Sequence, residues 1–214
     1  MNLQDIKPYA PEGEDVADYM FNLQTFDSGA GAEGLWWYLV ADGDEGAPVS
    51  GWYLYGECDE LAEYTFKQGE GFMIYSDYDD ESGAGYTIAG AVTKGETKIA
   101  VNNAYTLIGN IRPAEVNLQD ITPYAPNGED VADYMFNLQT FDSGAGAAGL
   151  WWYLVADGDE GAAESGWYLY GECDELAEYT FKPGEGFMLY SDYDDISDYD
   201  EGQSAGVSFK AIID

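Results

Sequence analysis

One block of this sequence occurs twice: residues 2–80 return as residues 117–195, shifted by 115 positions and without a gap. Such self-similarity constrains the architecture before any single residue is considered. The period is too long for a solenoid unit and fits a whole small domain, which typically has about 100–150 residues. The repeat therefore predicts two copies of one small domain in tandem. The copies differ only at Lys7/Thr122, Glu12/Asn127, Glu33/Ala148, Pro48/Ala163, Val49/Glu164, Gln68/Pro183 and Ile74/Leu189.

Short segments rich in Trp, Tyr, Phe and Val recur within the block and are bounded by Gly, Asp or Pro. Their spacing is typical of an antiparallel sandwich or barrel. Residues 16–26 fit both a helical and an alternating pattern, and we favour a strand over 19–26 because aromatics and Thr dominate there. We therefore predict an all-β chain of two tandem, near-identical antiparallel β-sandwich or barrel-like domains. The other predicted strands are LWWYLV (35–40), GWYLY (51–55), EYTFK (63–67) and GFMIYS (71–76).

A turn is predicted where the first copy reads TFKQGEGF and the second reads TFKPGEGF. Pro-Gly fits the two central positions of a type II turn, because Pro fixes φ and Gly accepts a positive φ. One backbone shape should serve both copies, and we interpret the segment as a hairpin.

The two copies diverge after the block, and this divergence bears on the domain boundary. The first continues with YTIAGAV (86–92), TKIAV (97–101) and YTLIGNI (105–111), whereas the second ends with VSFKAII (207–213). We expect YTIAGAV and VSFKAII to fill the same strand position. We expect TKIAV and YTLIGNI to form a connecting hairpin at 93–112. The predicted domains are 1–112, which includes this hairpin, and 113–214.

The charge balance limits the partners of this chain. It has 42 acidic and 7 basic residues, a formal net charge of −35, yet 46% of it is hydrophobic. Nucleic-acid binding needs patches of Lys and Arg, so a nucleic-acid partner is excluded. No apolar run approaches the roughly 18 residues of a membrane span, so membrane insertion is not expected. Clustered carboxylates repel one another in dilute buffer, which predicts that salt or calcium stabilises the fold.

Two acidic clusters are candidate calcium sites. Calcium takes six to eight oxygen ligands, and alternating carboxylates on one loop can supply several of them. The first cluster lacks the Gly and the Glu that an EF-hand loop would need at its sixth and twelfth positions. A solvated acidic loop surrounded by diffuse cations is the alternative reading. The candidate ligands are Asp77, Asp79, Glu81, Asp192, Asp194, Asp198 and Asp200.

An aromatic set recurs in both copies and could serve as a sugar-stacking platform or as a protein interface. Adjacent residues of a strand point to opposite faces, so one of Trp36 and Trp37 should enter the core. An exposed Trp suits carbohydrate and also suits a protein interface, where Trp and Tyr dominate the energetics. The candidate residues are Trp36, Trp37, Trp52, Trp151, Trp152 and Trp167.

Catalysis has little support in the sequence, and we do not expect an enzyme. The chain has no histidine, which removes the usual base for a Ser or Cys nucleophile. Cys58 and Cys173 occupy the same position of the two copies, so neither can form a disulfide within its own copy. We interpret them as partly buried free thiols, and a disulfide that links copies or subunits is the alternative.

YTLIGNIRP, followed by a new copy, and PGEGFMLYS within that copy resemble recurring phrases in the repeat modules of secreted and cell-surface proteins of bacteria. Those modules are small β-domains that often flank a sorting signal. Here NIRP replaces the commoner NP. The resemblance implies an extracellular β-repeat and carries over no functional residue.

These observations predict an extracellular or cell-surface structural protein, the subunit of a filament, sheath or repeat array. Its partners would be copies of itself, joined head-to-tail through β-edge or strand-addition contacts. The assembly strand would be VSFKAII, with Val207, Phe209 and Ile212 as contact residues. The second copy begins beside TKIAV and YTLIGNI and the first has no such neighbour, so the first should expose an unpaired edge or groove. The alternative is a tandem carbohydrate-binding module with a polysaccharide ligand.

Overall fold

The computed structural model describes residues 1–12, 14–25, 34–78, 83–88, 95–101, 104–110, 114–142, 146–193 and 205–210. The chain divides into two compact units, Met1–Ala91 and Val92–Asp214. Throughout the described ranges it is an all-β protein with several antiparallel sheets and no α-helix. No described sheet closes on itself, so the barrel-like alternative is wrong.

In its described residues, the first unit has six strands and one 3-10 helix, Leu3–Asp5. Four of the strands form a sheet in the order β4-β3-β2-β5, and the other two form the pair β1-β6. The strands are β1 Ile6–Tyr9, β2 Phe21–Gln24, β3 Leu35–Leu39, β4 Gly51–Leu54, β5 Met73–Ser76 and β6 Gly85–Ile88.

The second unit repeats this arrangement and has additional strands. Its strands are β7 Thr97–Ala100, β8 Ala104–Gly109, β9 Val116–Asn117, β10 Ile121–Tyr124, β11 Phe136–Asp142, β12 Gly146–Leu154, β13 Gly166–Leu169, β14 Thr180–Phe181, β15 Gly186–Ser191 and β16 Gly206–Phe209. They form a five-stranded sheet, β13-β12-β11-β15-β8, a three-stranded sheet, β10-β16-β7, and the pair β14-β9. The part of this unit that the structure describes also has two 3-10 helices, Leu118–Asp120 and Pro126–Gly128.

The start of each unit is held by one glutamine side chain. In the first unit Gln4 Nε2 donates to the carbonyl oxygens of Trp52 (2.9 Å) and Ala62 (3.0 Å), and Gln4 Oε1 accepts from the Trp52 amide (3.1 Å). Gln119 makes the same three bonds in the second unit, to Trp167 and Ala177. These bonds attach the 3-10 helix to the edge strand of the larger sheet.

The expectation that YTIAGAV and VSFKAII fill the same position agrees with the strand pairing. Strand β6 pairs with β1 so that Ile88 faces Ile6, and β16 pairs with β10 so that Phe209 faces Ile121. Ile6 and Ile121 are the same position of the repeat. The two divergent segments therefore complete equivalent strand pairs despite their different sequences.

The connecting hairpin is wrong, and the two compact units divide after Ala91. Strand β7 pairs with β16 and β8 pairs with β15, so TKIAV and YTLIGNI join two different sheets and not each other. Both belong to the second unit, which begins at Val92. The alternation of Ile99 and Ile108 with polar residues identifies strands but cannot tell which distant strand each will pair with.

The predicted turn is confirmed, but the hairpin around it is wrong. The amide of Glu70 donates to the carbonyl of Lys67 (3.2 Å), and Glu185 donates to Lys182 in the same way (3.0 Å). Gly69 and Gly184 have φ of 81° and 78°, as a type II turn requires. The strand before the second turn, β14, pairs with β9 rather than with the strand that follows the turn.

Candidate functional site

Four of the six tryptophans cannot belong to a surface platform. They lie in the hydrophobic cores with at most 5% of their surface exposed, and the indoles of Trp52 and Trp167 are completely covered. Those two indole N–H groups donate to the carbonyls of Ile6 (2.8 Å) and Ile121 (2.7 Å), which connects β4 to β1 in the first unit and β13 to β10 in the second. The prediction of a binding role is therefore wrong for Trp36, Trp52, Trp151 and Trp167.

Trp37 and Trp152 lie on the opposite face of their strands from Trp36 and Trp151 and are half-buried. The ring of Trp37 contacts Tyr19, with ring centroids 4.3 Å apart and an edge-to-face angle of 87°, and also contacts Tyr55 at 5.2 Å. Trp152 contacts Tyr134 (4.3 Å) and Tyr170 (4.9 Å) in the same way. Each unit therefore carries a surface cluster of three aromatic rings.

In the second unit this aromatic cluster borders a cavity of about 270 Å³. Tyr170 is 57% exposed at its mouth, and the carboxylates of Glu160 and Glu172 and the thiol of Cys173 complete the lining. Aromatic faces beside carboxylates can stack on a sugar ring and accept hydrogen bonds from its hydroxyls. The cavity therefore offers a small ligand aromatic faces and carboxylate acceptors side by side.

The first tyrosine of each cluster is held in an unusual backbone conformation. Tyr19 and Tyr134 have φ of 66° and 65°, a left-handed region that bulky residues rarely adopt. A neighbouring carboxylate holds this loop in both units. Asp18 Oδ1 accepts from the Val40 amide (2.6 Å), and Asp133 Oδ1 accepts from the Val155 amide at the same distance. Burial, together with a hydrogen bond to the Glu45 carboxylate, raises the pKa of Tyr19 to about 12.

Tyr134 has the same environment as Tyr19. Burial, followed by its hydrogen bond to Glu160, raises the pKa of Tyr134 to about 12. Both phenols therefore stay neutral to high pH and donate to a carboxylate.

Two of the predicted calcium ligands lie in the described part of the chain. Asp77 Oδ1 accepts from the Tyr75 hydroxyl (3.2 Å), and Asp192 Oδ1 accepts from the Tyr190 hydroxyl (3.0 Å). Within the described ranges, no group of three or more carboxylates, thiols or imidazoles could hold a metal ion. The remaining predicted ligands, Asp79, Glu81, Asp194, Asp198 and Asp200, lie outside the described residues.

The strongest difference between the two units is at their sheet edges. Among the described residues, β5 pairs only with β2, and β6 pairs only with β1. The equivalent strands of the second unit each have a further neighbour: β8 covers β15, and β7 covers β16. Within the described ranges, the first unit therefore has two open edges at the places where β7 and β8 cover the second unit.

Burial changes accordingly at equivalent positions. Leu189 on β15 is completely buried, whereas Ile74 at the same repeat position on β5 is only half-buried. Phe209 on β16 is 1% exposed, but Ile88, which occupies its place on β6, is 42% exposed. Further exposed side chains on these two edges are Met73 (51%), Tyr75 (57%) and Tyr86 (37%).

The predicted assembly strand is an inner strand of the second unit. Val207 and Phe209 lie on β16, which is paired on both sides with β10 and β7, and their side chains are buried in the core. A strand held on both sides cannot pair with another subunit, so the assembly role of these residues is wrong. Ile212 lies outside the described residues.

No protein-family model matches the chain, and searches of curated proteins and of solved structures find no match. No helix in the described ranges is long and apolar enough to span a membrane.

Proposed function

We propose that this protein is an extracellular structural component of a surface filament, sheath or repeat array. Its two units are copies of one β-sandwich module, and they assemble head-to-tail with modules of the same kind. Assembly uses strand addition at the open edges of the first unit. This contact is heterologous and does not close on itself, so it extends into a polymer. The role is mechanical and not catalytic.

The observation that carries the proposal is the pair of open edges, β5 and β6. Soluble proteins normally cover or charge their edge strands, because unpaired N–H and C=O groups recruit other strands. These edges present Met73, Tyr75 and Ile88 to solvent, in a chain with a net charge of −35. The surface of so acidic a chain is rich in carboxylates, so an edge strand with apolar side chains is a suitable place for another strand to pair.

Electron microscopy of the concentrated protein in salt tests this proposal. The wild type should form filaments, and the variant Met73→Lys/Tyr75→Lys should not, because lysines on an edge strand disfavour pairing. Val49→Lys/Leu61→Lys is the matched control: it adds the same charge at two exposed positions of the first unit that lie outside its strands. Wild-type protein that stays monomeric, or a β5 variant that still forms filaments, would contradict the proposal.

Carbohydrate binding is the second candidate, and the cavity beside Trp152 favours it. In that case Tyr170 would stack on a sugar ring and Glu160 would accept its hydroxyls. Titration with oligosaccharides would quench tryptophan fluorescence to saturation, and Trp152→Ala would abolish the effect. Fluorescence that does not change with any oligosaccharide would exclude this candidate.

A further inference from the structure

We propose that the open edges of the first unit form an acceptor site for a linker segment of the kind that residues 95–110 provide to the second unit. The occupant is an extended polypeptide with two short strands, the first like TKIAV and the second like YTLIGN. This inference rests on the proposed function, because it identifies the segment that would join one module to the next. We call residues 95–110 the linker segment.

The second unit shows how such a segment is bound. Strand β7 runs antiparallel to β16 with Ile99 opposite Val207, and β8 runs antiparallel to β15 with Ile108 opposite Phe187. Each pairing continues past the end of its strand. The amide of Val101 donates to the carbonyl of Ala205 (2.9 Å). One segment thus extends both sheets of the unit.

The linker segment also fills the core of the second unit. Ile99, Val101 and Ile108 are at most 6% exposed and belong to the same cluster as Phe187 and Phe209. Removing apolar side chains of this size from water stabilises the docked segment. The main-chain pairing gives affinity, and the three apolar side chains give the register and the choice of partner.

Asn110 fixes the end of the linker segment. Its backbone amide donates to the carbonyl of Glu185 (2.8 Å), and its side-chain amide donates to the carbonyls of Phe181 (3.3 Å) and Lys182 (2.9 Å). These carbonyls belong to the turn that both units share. Lys67, at the repeat position of Lys182, forms the same turn in the first unit.

The first unit has the parts that this binding requires. Phe66 and Phe72 keep their ring centroids 4.9 Å apart, the same distance as between Phe181 and Phe187, but Phe72 is only half-buried. The edge strands of the first unit, β5 and β6, pair with β2 and β1 in the same register in which β15 and β16 pair with β11 and β10. The acceptor surface is therefore formed and only its cover is missing among the described residues.

A glycine keeps the path of the first linker strand free. A Cβ on Gly206 would lie 2.1 Å from the Ile99 carbonyl oxygen, so any side chain there would block β7. Gly85 occupies the same position on β6 of the first unit. A neighbouring backbone can therefore approach β6 of the first unit as closely as β7 approaches β16 in the second unit.

The occupant is a further segment of this kind and not the linker segment of a second copy. The sequence contains one TKIAV…YTLIGN segment for two acceptor units. In the structure that segment is bound to the second unit, and a copy that donated it would open its own second unit. Such an exchange would gain no pairing.

The test adds a second copy of residues 93–115 directly before position 1 of the full chain, in phase with the repeat. Hydrogen exchange is then measured on dilute, monomeric protein. We expect amide exchange in 72–76 and 85–88 to slow by at least about tenfold, because pairing with a strand removes the open edge. Exchange in 187–191 and 206–209 should not change. The matched control is the same fusion with Ile99→Asp and Ile108→Asp in the added copy only, and it should not protect the edges.

Unchanged exchange in 72–76 and 85–88, or equal slowing with the control fusion, would overturn the inference. The measurement is independent of filaments. Filament formation by the unfused wild type tests the proposed function separately. Edge protection in the fusion, with a wild type that never forms filaments, would support the acceptor site and contradict the proposed function. Wild-type filaments, with a fusion that does not protect its edges, would do the reverse.

Discussion

The ring of Tyr105 lies 5.0 Å from that of Tyr190, its cross-strand partner in the pairing of β8 with β15. Tyr75 occupies the repeat position of Tyr190, and in the described structure it has no such partner and is 57% exposed. Two nearly identical sequences thus have different surroundings because only one of them is covered by the linker segment. Each unit therefore serves as an internal control for the other.

The linker segment should stabilise the second unit alone. We expect Ile108→Ala to lower the free energy of unfolding of that unit by about 2–5 kcal/mol, the usual cost of truncating a fully buried Ile. Tyr105→Ala, on the exposed face of the same strand, should cost much less. Hydrogen exchange under denaturant would report the two units separately. An equal loss of protection in both units would contradict the assignment of this segment to the second.

Asn110→Ala should also destabilise the second unit, by about 1–3 kcal/mol, because buried carbonyls lose a hydrogen-bond donor. The carbonyls concerned are those of Phe181 and Lys182. Chemical denaturation monitored by exchange in 180–191 would detect the loss. Unchanged stability there would mean that water replaces the amide without cost.

The paired variants Gln4→Ala and Gln119→Ala should have equal effects on their own units. Each glutamine makes three hydrogen bonds to backbone groups, with distances that agree between the units to within 0.1 Å. We expect a loss of about 1–3 kcal/mol in each case. Exchange-detected unfolding of the single and double variants would measure it. Losses that differ strongly between the units would contradict the equivalence of their cores.

Alkaline pH should destabilise the fold through Tyr19 and Tyr134. Burial and hydrogen bonding to glutamate raise their pKa to about 12 in the folded chain, above the ordinary value of 10.0. A raised pKa contributes stability that is complete below pH 10 and is lost as the pH rises toward 12. The free energy of unfolding, measured from denaturation curves across this range, should fall less with rising pH for Tyr19→Phe/Tyr134→Phe than for wild type. Identical pH profiles would contradict the shifts.

Salt should raise the melting temperature, because 42 acidic residues face only 7 basic ones. Melts in sodium chloride and in millimolar calcium would separate screening from specific binding. A rise with both salts at equal ionic strength indicates screening, and a rise with calcium alone indicates a site. A flat or falling melting temperature in both series would show that the carboxylates are already well solvated.

Local pattern predicted strands well but could not predict their partners. The alternation in LWWYLV places Trp36 and Trp37 on opposite faces, as the strand has them. The pattern could not show that Trp52 is a core residue. Its burial depends on tertiary packing, since the indole N–H needs the carbonyl of Ile6, which is distant in sequence. Likewise, the patterns of TKIAV and YTLIGNI predict strands but not their partners. These partners, β16 and β15, lie about 80 to 110 residues further along the chain. The aromatic cavity of the second unit could not be predicted for the same reason.

The most direct test of this account is hydrogen exchange on the unmodified, monomeric chain at low concentration. Fragments from the two units can be told apart by mass, because Gln68 stands where the second copy has Pro183. The open edges predict that amides in 72–76 and 85–88 exchange at least about tenfold faster than those in 187–191 and 206–209. Equal protection of the two sets would mean that the first unit's edges are already covered, and it would contradict the central claim.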